Sequence, residues 1–202
     1  MITNLLTQLT AAQIPCLATL RAFFELLARL IVDICHEDGK NARFFVCCDE
    51  EERDAVVKNL KHLKVGDCIM IMCVPRFLIQ NKKGAYRKNR TWIEVICRHK
   101  SGDTEARFAA MDKADKVLQK ILNQAQRLTA LIPVMSCMFG EKTFNEYAIP
   151  TKSNPTSEFS GYRLPFDLFT AYDCHIYIDD VKEEYQEEFV EWLEGQPYFC
   201  EE

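Results

Sequence analysis

The chain has 202 residues and a formal net charge of −5, with 48% of its residues in the hydrophobic set and 27% charged. That balance excludes a disordered or fibrous protein and fits one main globular domain. Seven glycines and seven prolines are few for the length, and they fall where the apolar periodicity breaks, so no stretch reads as a linker.

Residues 2–13 place Ile2, Leu5, Leu6, Leu9 and Ala12 at helical spacing, and Pro15 suits the first turn of a second, longer helix over 16–36. Residues 17–35 are apolar enough to raise the question of a membrane span. Arg21, Glu25, Arg29 and Asp33 recur there every four residues, however, and form one stripe of alternating ion pairs, which predicts a helix of a water-soluble protein. Gly39 then suits a turn. RFFVCC at 43–48 is a short apolar run of strand type, and Asp49 is placed to cap a helix reaching about Leu63, with Glu50, Glu51 and Glu52 at its positive end.

Val65-Gly66-Asp67 turns the chain into CIMIMCV, which is expected to pair with TWIEVIC across a basic loop as a long hairpin, with Pro75 at an edge or bulge. Asp103 and Thr104 are the cap candidates for the clearest helix. Phe108, Met111, Ala114, Leu118, Ile121, Leu122, Ala125 and Leu128 give it an apolar stripe, and Pro133 stops it. Two short strand-like pieces follow, KTFNEYAI and GYRLPFDLF. Residues 173–179 alternate strictly in the manner of a half-buried strand, and a last amphipathic helix sets Val181, Tyr185, Phe189, Trp192 and Leu193 against a glutamate-rich face.

The expected fold is therefore α+β. Residues 1–178 form the main domain, with a helical segment at 1–38, and residues 179–202 form an acidic C-terminal helix and tail. Ten cysteines lie mostly inside apolar runs without framework spacing, and are expected to be buried thiols of the core. The N-terminus lacks the basic and apolar regions of a secretory signal, so a cytoplasmic location is expected.

Charge is segregated along the chain. Residues 40–130 hold 19 Lys and Arg against 11 Asp and Glu, a net of +8, so the remainder carries −13. Lys82, Lys83, Arg87, Lys88 and Arg90, with Tyr86 among them, crowd into the expected hairpin tip. Such a cluster can grip a phosphate backbone or an acidic protein surface, or can be a solvated loop that keeps a strand edge from pairing. Glu184, Glu187, Glu188 and Glu191 on the last helix are either a solvated face or a partner contact. A basic loop and an acidic helix on one molecule are the ingredients of head-to-tail self-association.

No cofactor and no metal are expected. Cys47-Cys48 and Cys68 with Cys73 lack zinc-site spacing, which leaves only a site assembled from distant residues. GxSxG, HExxH, GxxxxGK[ST] and GxGxxG are absent. Cys174 and His175 are adjacent on an expected strand and point to opposite faces, so they make no dyad.

The order of elements resembles small tail-completion and tail-terminator proteins of tailed phages. The parts that carry the likeness are RFFVCC, CIMIMCV with TWIEVICRHK, TEARFAAMDKADKVLQKIL, and Gly161-Tyr162-Arg163-Leu164-Pro165-Phe166. The resemblance implies an α+β core in which long amphipathic helices pack on one face of a mostly antiparallel sheet, in a non-enzymatic structural subunit that assembles as a ring at a tail end or head–tail joint, with the long hairpin reaching a neighbour. Its partners would be further copies of itself and other particle proteins, and the basic segment from Lys82 to Arg90 would face either an adjacent subunit or DNA in the lumen. It would be made in the host cytoplasm and carried into the particle, and no membrane is involved. The acidic helix after Asp179 has no counterpart in that layout. Two rival readings are a nucleic-acid-associated accessory protein that uses 82–90 for phosphate contacts, and an enzyme with no recognisable motif.

Overall fold

The sheet is built where the sequence is most apolar. A computed structural model describes residues 2–12, 17–39, 41–60, 62–74, 76–78, 86–132, 135, 139, 148–151 and 158–171, with backbone alone at 76–78, 86–89 and 169–171. Its strands are β1 (Phe44–Cys47), β2 (Cys68–Cys73), β3 (Arg76–Leu78), β4 (Tyr86–Arg98), β5 (Ile149–Pro150) and β6 (Phe159–Ala171). They lie in the order β1-β2-β4-β6-β5, with β3 also on β4. Among the described strands only the β1–β2 pair is parallel, so the fold is α+β on a mostly antiparallel sheet.

Four helices among the described residues accompany it, α1 (Ile2–Ala11), α2 (Leu17–Leu30), α3 (Glu50–Asn59) and α4 (Thr104–Leu131). Residues of α1, α2 and α4 share one core cluster with Cys68, Met70, Met72, Ile93, Val95, Cys97, Leu164, Phe166 and Leu168. Phe23, Phe24, Phe139 and Phe166 form its aromatic centre, with ring centroids 5.5–6.2 Å apart. The intervening strand residues Ile69, Ile71, Cys73 and Ile96 belong to a second cluster, where Val56 and Val57 of α3 pack. A parallel pair needs a crossover connection, and α3 lies within the one that joins β1 to β2. Covered on both faces, all six residues of β2 are buried, which is why CIMIMC reads as an unbroken apolar run.

The two kinds of helix are held differently. Eight of the fourteen residues of α2 are buried, so packing fixes it. α3 buries none of its residues fully and leans on its ends: Asp49 accepts from the Glu52 amide at 2.9 Å, while Glu52 Oε2 accepts from the Cys48 amide at 2.7 Å. Asp103 caps α4 in the same way through the Ala106 amide.

Several expectations are corrected. α2 ends at Leu30, short of residue 36, and the chain turns at 32–34 to reach Cys35 at φ 50°. The charged stripe is shared between elements: Arg29 bonds Glu25 and also Asp38, each at 2.7 Å, and Asp33 meets Lys120 of α4 at 2.5 Å. Phe108 is 61% exposed, because α4 begins to bury residues only at Ala110. GYRLPFDLF is part of one thirteen-residue strand. Cys68 and Cys97, expected as thiols, form a disulfide across β2 and β4, where they stand directly opposite with Cα atoms 4.1 Å apart. Cys35 and Cys48 are exposed.

Gly161 and Pro165 have positional reasons. A Cβ on Gly161 would come within 2.0 Å of the Val95 carbonyl oxygen, so only glycine allows β6 this close to β4. The Gly161 carbonyl and amide face Thr151 beside β5. Two-residue alternation turns the nitrogen of Pro165 to that same side, away from β4, where the ladder needs no donor from it.

The described residues lie within one compact unit, Met1–Ala171. Residues 172–202 form a second unit outside the described residues, and the expected strand at 173–179 and the acidic helix fall there. No helix among the described residues is long and apolar enough to cross a membrane.

Candidate functional site

The basic segment is mounted on an arm. β4 pairs with β6 over thirteen positions, from Tyr86↔Ala171 to Arg98↔Phe159, roughly 43 Å at 3.3 Å per residue. β2 pairs with β4 only as far as Met72↔Ile93. Beyond that point β3 takes its place, pairing Arg76↔Arg90, Phe77↔Asn89 and Leu78↔Lys88. Tyr86, Arg87 and Lys88 stand on the arm strand and Arg90 is exposed at its root. Lys88–Arg90 have strands on both sides, so the alternative of charges guarding an open edge does not hold for them. Lys82 and Lys83 lie outside the described residues, as do Glu184, Glu187, Glu188 and Glu191.

A second constellation occupies the α3 face of the sheet. Glu94, in the middle of β4, is fully buried. A buried carboxylate demands a partner, and Arg53 of α3 supplies it with Nε 2.8 Å from Oε2 and Nη2 2.9 Å from Oε1. Arg163 of β6 brings Nη2 to 3.7 Å from the same carboxylate. Its guanidinium lies over the Trp92 ring, 3.8 Å from the centroid, and its outer edge is bidentate to Glu50, with Nη2 3.0 Å from Oε2 and Nη1 on Oε1. That hydrogen bond to Arg163 holds the Glu50 carboxyl below the usual carboxylate range. Arg163 Nε is buried without a hydrogen-bond partner.

Two cavities flank this pair. One, of about 300 Å³, is lined by Asp49, Glu50, Cys73, Trp92 and Pro165 among others; the second, of about 480 Å³, by Glu50, Arg53, Ile149, Pro150, Thr151 and Arg163 among others. Beside the first, the Cys47 thiol is hydrogen-bonded to Cys73, and that bond together with burial pushes its pKa up. A thiol so held is not a nucleophile near neutral pH.

Sequence reading missed this groove. Glu94 inside TWIEVIC was the legible signal, since an acid in the middle of an apolar strand needs a counter-charge. Arg163 was read only as part of the Gly161–Phe166 strand.

Two further clusters are structural. Glu25, His36 and Asp38 have ligand atoms within 4.8 Å of one another, but Arg29 already sits 2.7 Å from both carboxylates and fills the place of a cation. His36 Nδ1 accepts from the Arg43 and Phe44 amides at 3.1 and 3.3 Å, so His36 anchors the start of β1. His99 Nε2 lies 3.0 Å from Ser160 Oγ, and Nδ1 lies 3.0 Å from the Lys100 carbonyl oxygen. The geometry is that of a nucleophile and its base, yet Ser160 is 1% and His99 4% exposed, and a nucleophile must be reached by its substrate.

Compared with known proteins, the chain matches no family profile, no curated protein and no solved structure.

Proposed function

We propose that this chain is a non-enzymatic structural or assembly subunit of a phage-like particle, acting in tail completion or head–tail joining by ring-type self-association through its basic arm. The observation that supports the reading is the arm itself. β3, β4 and β6 carry Tyr86, Arg87, Lys88 and Arg90 past the point where β2 stops pairing, so these residues are presented on paired backbone with little ordering entropy left to lose on contact. Heterologous contacts of one arm with the next subunit generate a ring when the rotation closes.

Solution mass by light scattering, measured across protein and salt concentrations with absorbance checked for nucleic acid, tests this. The expected result is a discrete, salt-sensitive oligomer free of nucleic acid. Neutral replacements of Lys82, Lys83, Arg87, Lys88 and Arg90 are expected to yield a folded monomer. A monomer that carries nucleic acid, and loses it on the same replacements, would instead establish the phosphate-binding reading.

A further inference from the structure

We propose that the groove on the α3 face of the sheet is a docking site for an extended acidic segment of a partner protein, in which a partner carboxylate displaces Glu50 from Arg163. This inference goes beyond the self-association reading and stands or falls independently of it.

The first support is the state of Arg163. Its guanidinium is fixed flat by the Trp92 ring beneath and by fully buried Glu94 behind it. The outward fork is presented to Glu50 in the bidentate geometry by which arginine recognises carboxylates. Glu50 is itself 61% exposed and sits in the first turn of α3, so it can swing to water at little cost, as exposed ion pairs do. It holds the place that a partner's carboxylate would take.

The second support is the shape on either side. Glu50 lines both cavities, so it stands between them. Trp92 and Pro165 give the first an apolar wall; Ile149, 54% exposed, and Pro150 give the second one. In an extended peptide the side chains two residues either side of a glutamate point the same way as it does, each roughly 7 Å along the chain. On this proposal a segment reading apolar-x-Glu-x-apolar sets its carboxylate on Arg163 and directs one apolar side chain toward each compartment. A free small carboxylate would use the arginine alone and leave both compartments empty.

The chain has two tryptophans, so a Trp192→Phe background makes Trp92, under the Arg163 guanidinium, the sole tryptophan, excited selectively over the tyrosines. The probe is a capped Leu-Ser-Glu-Ser-Leu peptide, with a Gln-for-Glu peptide as control. Saturable change in Trp92 emission is expected with the glutamate peptide, about tenfold weaker with the glutamine peptide. Glu50→Gln, which removes the resident competitor, is expected to tighten binding about threefold or more, and Arg163→Lys, which keeps the charge but loses the fork, to weaken it about tenfold. Circular dichroism melts establish that each variant is folded. Equal binding of the two peptides, an unchanged affinity in folded Arg163→Lys, or no binding even to Glu50→Gln would overturn the proposal.

Discussion

At the scale of single residues, Glu94 and Gly161 carry the most specific demands. Glu94 is an ion in the sheet interior whose charge is balanced by Arg53 and Arg163. Removing one member of such a group leaves the others uncompensated. Glu94→Gln is therefore expected to destabilise the fold by about 3 kcal/mol or more in urea denaturation, whereas Glu94→Leu combined with Arg53→Met is expected to recover most of that loss. Gly161→Ala drives a methyl into the backbone of Val95 and Ile96. A side chain can move aside, but a central strand cannot, so a loss of about 3 kcal/mol is expected. The demand of Gly161 was half legible: the glycine marked a strand in the sequence, while the close approach of β4 that requires it comes from a pairing between residues more than sixty positions apart. The same holds for Arg163, whose partners Glu50 and Glu94 lie in two other elements.

His36 adds a pH dependence with a definite sign. Burial, and then the neighbouring positive charge of Arg29, lower its pKa, and its Nδ1 accepts two backbone amides that a protonated ring could not serve. The folded state thus binds fewer protons than the unfolded one. The contribution is fully present above the ordinary histidine value of about 6.5 and is lost as pH falls from there toward the lowered folded-state value. His36→Gln is expected to flatten that decline. The difference between wild-type and variant denaturation midpoints from pH 7 down to pH 5 measures it, since every other ionisable group is common to both.

At the scale of elements, legibility followed the source of each element's order. α4 was readable because a long apolar stripe at three- and four-residue spacing is a local property. Its N-terminal end was misread because Phe108 extends the stripe ahead of Ala110, where burial begins. β2 was readable because burial on both faces leaves six consecutive apolar residues. The length of β6 was not, since Pro165 and Arg163 break its apolar pattern, and only the pairing with β4 shows that both are tolerated. α3, with no fully buried residue, is the element most dependent on its cap. Asp49→Ala removes the acceptor for the Glu52 amide, and about 1 kcal/mol of stability is expected to go with it. Hydrogen exchange is the sharper measurement: faster exchange confined to 50–59 is expected, because packing holds the other helices independently.

At the scale of the whole molecule, the sheet is a wall between two unequal cores, and the Cys68–Cys97 disulfide crosses it at the root of the long hairpin. Nothing local in the sequence marked the pair, because their opposition follows from register and not from spacing. The bond closes a loop with a sequence separation of 29 that contains β3, the basic tip and most of β4. In the chain-entropy account, a cross-link over such a loop stabilises the fold by roughly 3–4 kcal/mol through restriction of the unfolded chain. Reduction is therefore expected to lower the urea midpoint, and Cys68→Ala with Cys97→Ala to lower it by a similar amount and to make it insensitive to reductant. The arm is expected to survive both treatments, since its ladder to β6 runs over thirteen positions and needs no sulfur. On the self-association proposed above, oligomers should then persist in the reduced, still-folded protein. A reduced protein that stays folded but loses its oligomers would place the assembly surface at the β2–β4 root instead of on the arm.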